Sequence, residues 1–420
     1  MSIASTEKLG AGAWLKFLVI GSAGMAQFFP LMFTQVGLPA VFRARGMELE
    51  DFWMFSIPLI PYWAKVFWAP FADRFQFVGL GLRRSWILPC TLGGAASLVA
   101  LGFVEPSLDA MWPVVSLLLV HAIFMSTQDV AIDAYTVENL SERERGPGVS
   151  VKIIMETLGS MAAVAGLMAV QEYFGWRTSM VLCAGLLICF TLPVLLRPEP
   201  KRGPAEAKAP RPSLIKLALR KDSRLIVGLL LLAGLVKGGL ASMTGAFLVD
   251  GGLGLAEIGI VTGVVFSTGQ LLGAAAGGLA MQRFGARDYA RNLAFLIIPG
   301  FAPMAALAWF GSPQLWSAAL AMAPAAFALA GLHLLVTTSR LGWASRSQAG
   351  TDFSAQGAVY NMGESAMAAI AGAMALRLGW PGFFLAVAAI ATSAAIAFFV
   401  SHARLRDLVD ARERAVGEQS

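Results

Sequence analysis

Several runs of this chain carry no Lys, Arg, Asp or Glu for 19 residues or more, among them Phe17 to Phe42, Ser85 to Val104, Thr178 to Leu196, Ile258 to Gln282, Asn292 to Ser339 and Leu378 to Ser401. An α-helix rises about 1.5 Å per residue, so about 20 apolar residues cross the hydrocarbon core of a bilayer. Each of the shorter runs is therefore one membrane span. The longest is two, broken at the turn sequence Gly311-Ser312-Pro313-Gln314. Charged residues are 14% of the chain, against about 25% in a soluble protein, and too little polar side chain remains to face water on all sides. Within lipid every backbone N–H and C=O must be satisfied internally, and for runs of this length that means helices. The expected class is an all-α membrane protein.

Adding the apolar segments that hold isolated charges gives twelve expected spans, at 14–42, 52–72, 85–104, 110–135, 149–172, 177–196, 224–249, 257–281, 290–310, 315–338, 355–376 and 382–401. They fall into an N-terminal six-helix half, 1–196, and a C-terminal one, 224–401. Between them 197–223 is rich in Pro, Lys and Arg and reads as a hydrophilic linker with a short amphipathic helix near 213–220; 402–420 reads as a polar tail. The apolar stretch after Lys8 and Lys16 is too long for a signal-peptide core and is read as a retained first span.

Basic residues set the orientation. With both termini in the cytoplasm, cytoplasmic segments hold 25 of the 32 Lys and Arg, and the opposite loops hold Arg43, Arg45, Arg177 and Arg377. The expected location is a bacterial inner membrane, crossed many times with both ends inside. The net charge of +6 comes from residues scattered at span ends, so the expected partner is the lipid bilayer and not nucleic acid. Cys90, Cys183 and Cys189 lie in apolar spans without metal-ligand or disulfide spacing, and neither metal nor cofactor is expected.

The halves echo each other. Arg45-Gly46-Met47-Glu48-Leu49 leads into span 2, and Gly251-Gly252-Leu253-Gly254-Leu255 into span 8. Phe174-Gly175-Trp176 follows span 5, and Leu378-Gly379-Trp380 follows span 11, both pairs offset by close to 205 residues. A parallel repeat of six spans is an architecture of alternating-access carriers.

A charge near the bilayer centre costs about 3 kcal/mol on insertion scales, which makes any such residue a functional candidate. Asp129 and Asp133 stand one turn apart on span 4 and share a face; Lys152 and Glu156 repeat that spacing on span 5 at similar depth. Two carboxylates on one turn resist joint ionisation unless a cation compensates, and Lys152 is the expected cation. These four, with Glu364 near the repeat position of Glu156, are candidates for proton coupling or gating, against a static ion network. Lys65 on span 2 and Lys237 on span 7 are lone cations at depth, suited to an anionic substrate or to a carboxylate partner. By residue count Gln27, His121 and Lys237 fall near mid-bilayer, and they form the expected substrate site with Lys65 and Gln270 beside them. The plain alternative for His121 is an interhelical hydrogen bond. His333 and Asn361 are weaker candidates. Asp73-Arg74 closing span 2 and Arg83-Arg84 opening span 3 are expected to clamp neighbouring helices, against ordinary positive-inside charge.

Three motifs carry a resemblance. Trp68-Ala69-Pro70-Phe71-Ala72-Asp73-Arg74 resembles a W-[AS]-P-x-x-D-R ending of span 2. Ser126-Thr127-Gln128-Asp129-Val130-Ala131-Ile132-Asp133-Ala134-Tyr135 resembles an S-x-Q-D-x-x-x-D-[AG]-[YW] signature on span 4, and Glu142-Arg143-Glu144-Arg145-Gly146 resembles the stretch after it. Together they are similar to the AmpG-like muropeptide permeases and acetyl-CoA transporters of the major facilitator superfamily, whose neighbourhood includes importers of rhizobactin- and pyochelin-type siderophores. The resemblance implies a major facilitator fold of twelve helices in two halves. Muropeptide permeases commonly have a longer chain with extra spans, which shifts the expectation to the short siderophore-importer branch. Thr157 to Gln171 holds no Pro, so the G-P-x-x-G-G pattern of drug/proton antiporters is missing.

The expected function is secondary active transport: proton-coupled import of a small-molecule, siderophore-type solute by a monomer. An AmpG-like muropeptide permease is the alternative. A membrane-embedded enzyme is remote, because the one conceivable cluster, His121 with Asp129 and Asp133, sets the imidazole two turns from Asp129 with no second His or Cys near it.

Overall fold

The computed structural model describes residues 11–72, 75–76, 79–197, 220, 222–311, 313–344 and 349–417, and among these all regular structure is helical. Span 1 runs from Ala11 through a π-turn at Phe33–Gly37 to Ala44. Span 3 is Arg84–Phe103, span 4 Met111–Asn139, span 7 Ser223–Asp250 and span 10 Leu315–Trp343. Three further helical runs each hold two spans: 142–196 for spans 5 and 6, 255–310 for spans 8 and 9, and 349–417 for spans 11 and 12. Each is broken at one glycine of positive φ: Gly175 at 82°, Gly285 at 77° and Gly379 at 65°. L side chains rarely adopt that conformation, so a single residue ends one helix and starts the next. The expected twelve spans in two six-helix halves are present.

Span 2 departs from the others. Residues 49–72 form 3-10 turns at Leu49–Leu59 and Lys65–Phe67, with short α-segments at Ile60–Ala64 and Ala69–Ala72. Pro58, Pro61 and Pro70 explain the breaks, since each removes an N–H donor and clashes with the preceding turn.

The repeat read from the sequence is written in the backbone. Gly46 and Gly252 both sit at φ +90°. The same bonds surround them: Met47 N donates to Phe42 O and Leu253 N to Leu248 O, both at 3.1 Å, while Gly46 N donates to Arg43 O and Gly252 N to Val249 O, both at 2.9 Å. Trp176 and Trp380, each following a helix-breaking glycine, anchor their indole N–H groups on Leu101 O at 2.8 Å and on Asp250 at 3.0 Å.

An even number of spans puts the start of span 1 and the end of span 12 on one face of the bundle, here the terminal face; the opposite one is the far face. The halves meet on the far face. Arg43 donates to both carboxylate oxygens of Asp250, at 2.6 and 3.1 Å, and Trp380 shares that carboxylate. Glu172 of span 5 accepts from Ala256 N at 2.7 Å, a cap lent across the halves to the first turn of span 8. Within the C-terminal half, spans 7 and 11 pack backbone to backbone. Gly234 and Gly238 lie against the carbonyls of Tyr360 and Glu364, and Gly363 against that of Leu231, so closely that a Cβ at any of the three would collide. The expected helix near 213–220 lies outside the described residues except for Arg220, which pairs with the buried Asp352.

Candidate functional site

Asp129 and Asp133 share a face of span 4, but they turn to different partners. Asp129 accepts from Gln27 Nε2 at 2.8 Å and pairs with Lys65. Asp133 accepts from Lys152 Nζ at 2.6 Å, and Lys152 also stands 3.4 Å from Glu156. The sequence reading assigned Lys152 to both carboxylates. Four residues of helix displace them by about 6 Å along the axis, and at that separation a different cation serves each: Lys65 from the broken span 2, Lys152 from span 5.

The second half builds a pair of its own. Lys237 Nζ donates to Glu364 Oε2 at 2.8 Å and lies 6.0 Å from the centre of the Tyr360 ring. His333 Nδ1 stands 3.4 Å from the Tyr360 hydroxyl. Asn361 Nδ2 reaches across to Tyr62 O of span 2 at 3.4 Å, a polar tie between the halves at this depth. Glu364, read from the sequence as a second carboxylate at the inner gate, is thus the partner of Lys237.

Both pairs face one cavity of about 140 Å³ between the halves. Gln27, Lys65 and Asp129 line it from one half, and Lys237, Asn361 and Glu364 from the other. Three more polar groups reach the same walls: Gln27 Oε1, Gln35 Oε1 and Ser365 Oγ are buried with no hydrogen-bond partner. Buried polar atoms are rarely left unpaired, so this cavity is suited to a solute that brings both charge and hydrogen bonds. Three of its polar walls escaped the sequence reading, Tyr62, Gln35 and Ser365. Tyr62 follows the helix-breaking Pro61 deep in an apolar span, which is a usable signal; Gln35 sits in the π-turn of span 1, which hydropathy does not reveal.

His121 is not in this cavity. It lines a smaller one of about 30 Å³ toward the far face, which shares Gln35, Tyr62 and Glu364 with the first. Its Nδ1 is 3.0 Å from Gly94 O and 3.3 Å from Ser97 Oγ, so span 3 holds the ring while Nε2 has no partner. The expected grouping of Gln27, His121 and Lys237 is therefore divided: residue count gives depth along a helix but not which side of a neighbouring side chain the ring falls on. Gln270 lines neither cavity.

Of the expected clamp, Asp73 and Arg74 lie outside the described residues. Arg83 is buried, pairs with Glu138 of span 4 at 2.7 Å and donates to Ala72 O at 3.2 Å. Arg84 donates to Leu195 O of span 6 at 3.0 Å. The two arginines thus tie the start of span 3 to spans 2, 4 and 6. Glu138 was not among the sequence candidates.

The profile of the Major Facilitator Superfamily matches residues 17–341. Over 271 residues the chain is 29% identical to the anhydromuropeptide permease of Escherichia coli strain K12, covering 62% of this chain and 54% of the permease, so it spans about half the length of that relative. It is 22% identical over 388 residues to the putative transporter AmpG 4 of Rickettsia conorii, covering 86% of this chain and 90% of the other. Among solved structures, a bacterial homolog of the human lysosomal transporter Spinster, inward-facing and unoccupied, matches with a TM-score of 0.66 at 16% identity over 97% of this chain and 98% of that one. At that identity the likeness is one of fold.

Proposed function

We propose, for a chain that belongs to the Major Facilitator Superfamily and is a secondary transporter of that type, proton-driven import of an anhydromuropeptide-type solute across a bacterial inner membrane. The observation that carries the site is the shared cavity: each half presents a Lys–carboxylate pair to one space between them. Carriers of this kind bind solute at mid-membrane between their repeats. The solute class rests on the similarity to an anhydromuropeptide permease. The siderophore-type solute expected from chain length gives way to it, because length says nothing about the chemistry of the cavity walls.

Lys65 and Lys237 attract the carboxylates of the peptide, and the unpaired oxygens of Gln27 and Gln35 accept its N–H and O–H groups. Sites for solutes of several hundred daltons measure about 300–1,000 Å³, so the 140 Å³ cavity must widen as the halves rock. The breaks in span 2 supply that give, with Asp129 and Asp133 carrying the coupling network on span 4. In the proposed orientation the far-face ties close the outer path, and the solute leaves to the cytoplasm.

Reconstituted protein tests this directly. Labelled anhydromuropeptide should accumulate in proteoliposomes above the external concentration under an inward proton gradient, and an uncoupler should abolish the excess. Uphill uptake of a ferric siderophore with no uptake of anhydromuropeptide reverses the solute assignment. Uptake indifferent to uncouplers removes proton coupling.

A further inference from the structure

The geometry points to Glu364 as the carboxylate that the solute displaces from Lys237 and that takes up the co-transported proton, so that solute and proton bind through one ion pair. This rests on the reading that the central cavity is the solute site.

Lys237 Nζ and Glu364 Oε2 are 2.8 Å apart and both line the cavity, so the cation is within reach of a solute only on the side that Glu364 does not cover. The glycine contacts bring the two backbones together: Gly238 abuts the carbonyl of Glu364 itself. Two carboxylates drawn to one ammonium at this depth repel each other, so a solute carboxylate that binds Lys237 takes the place of Glu364 as its partner. Glu364 is 5% exposed, and an unpaired carboxylate at this depth is strongly disfavoured. Protonation removes that penalty. Among the described residues, the titratable groups around it are Tyr62 of span 2, His121 of span 4 in the adjoining cavity that Glu364 also lines, Tyr360 of its own helix with His333 of span 10 behind it, and Lys65 on the opposite wall, which is already paired with Asp129.

The step balances. A hydronium ion from the water that reaches the site protonates the Glu364 carboxylate and leaves as water. The solute carboxylate forms the ion pair with Lys237 that Glu364 gives up. One negative charge and one proton enter together, and the net charge of the site is unchanged. Ser365, adjacent on span 11 with an unpartnered hydroxyl on the same cavity, is placed to donate to the incoming carboxylate.

Direct binding to purified protein tests the inference, with labelled anhydromuropeptide and its carboxyl-amidated form as probes. In the wild type the dissociation constant should rise about tenfold per pH unit wherever Glu364 is ionised in the free protein and neutral in the complex, the slope for one proton taken up per solute bound. Glu364→Gln should bind with a flat pH profile, because the side chain is already neutral. Lys237→Gln/Glu364→Gln, which removes both charges at once, should elute as folded protein and bind at least tenfold more weakly than Glu364→Gln at every pH. The amidated probe should bind weakly and without a pH slope. A wild-type slope that persists in Glu364→Gln overturns the assignment of the proton to this residue. Amidated and free probes of equal affinity overturn the exchange of carboxylates on Lys237. Failure of the wild type to bind anhydromuropeptide at any pH overturns the solute reading itself, and the inference with it.

Discussion

The two ion pairs that face the central cavity use the same chemistry on opposite mechanical supports. Lys65 stands on a span broken by three prolines into 3-10 and α pieces, and its partner Asp129 is also held by Gln27 from a third helix. Lys237 and Glu364 stand on two unbroken helical stretches zipped by glycines, with no room for a Cβ between them. A salt bridge on a compliant helix can part when that helix flexes; one on a rigid platform changes partner only when a competitor arrives. The contrast suggests a division of labour: the first pair responds to movement of the halves, and the second to the solute.

The sharpest way to break the comparison is to wedge the rigid side. Gly238→Leu places a branched side chain against the Glu364 carbonyl. The cost should reach or exceed the upper end of the about 1–3 kcal/mol typical of overpacking, because backbone cannot rotate away as a side chain does. Gly185→Leu on span 6, where nothing lies within 4 Å, is the matched control. Thermal unfolding in detergent should separate the two by many degrees. Equal melting temperatures would show that spans 7 and 11 are not locked.

On the compliant side, Asp129→Asn should lower uphill uptake at least tenfold, equivalent to ~1.4 kcal/mol, while energy-independent counterflow changes far less. Losing both equally makes Asp129 a structural partner of Lys65 and Gln27. Losing neither removes it from the mechanism.

The halves are also tied outside the cavity, and in the proposed mechanism that tie governs how often either pair is reached from the far face. Arg43 binds Asp250 through two donors, both partly exposed. Such a pair is worth up to about 1 kcal/mol, so Arg43→Ala should shift the far-face equilibrium toward opening by roughly fivefold. Spin labels at Glu50 and Gln314, exposed on the far face of opposite halves, read this as a gain in the long-distance population once Cys90, Cys183 and Cys189 are replaced. An unchanged distance distribution assigns closure to the Glu172 cap instead.

Most of the fold could be read from charge spacing, because a bilayer punishes buried charge so heavily that uncharged runs mark the spans. The repeat was equally visible, since positive-φ glycines at 46 and 252 serve the same turn. The site was legible as depth but not as partnership. Asp129 and Asp133 were rightly placed on one face, yet nothing in an i, i+4 spacing says that Lys65 will meet the first and Lys152 the second. His121 and Lys237 have similar depth by residue count, yet the imidazole falls in an adjoining cavity nearer the far face. Gln35 and Ser365 carry no charge and break no pattern, so only packing reveals that their polar atoms lack partners.

The smallest effect concerns a pair that faces no cavity and so should answer to neither half of the comparison. Lys16 of span 1 donates to both oxygens of Glu144, at 3.0 and 2.8 Å, and Glu144 also accepts from Ser141 N at 2.9 Å in the capping box that starts span 5. The Lys16 hydrogen bonds, and then that of the Ser141 backbone, hold the Glu144 carboxyl at about 2, below its ordinary 4.5. A carboxyl whose folded pKa is depressed stabilises the fold fully above its unfolded value and loses that contribution as pH falls through the folded one. The window is therefore pH 4.5 down to about 2. Glu144→Gln keeps the capping-box bond, since Gln serves that position as Glu does, and removes only the charge. At the bundle surface the loss should stay below ~1 kcal/mol. Melting temperatures of wild type and Glu144→Gln should differ slightly at pH 7 and converge as pH falls from 4.5 toward 2, while uphill uptake at pH 7 stays the same in both. A difference that holds constant across that range would assign the effect to packing of the Lys16 stem; a loss of uptake would place this terminal-face pair in the moving parts after all.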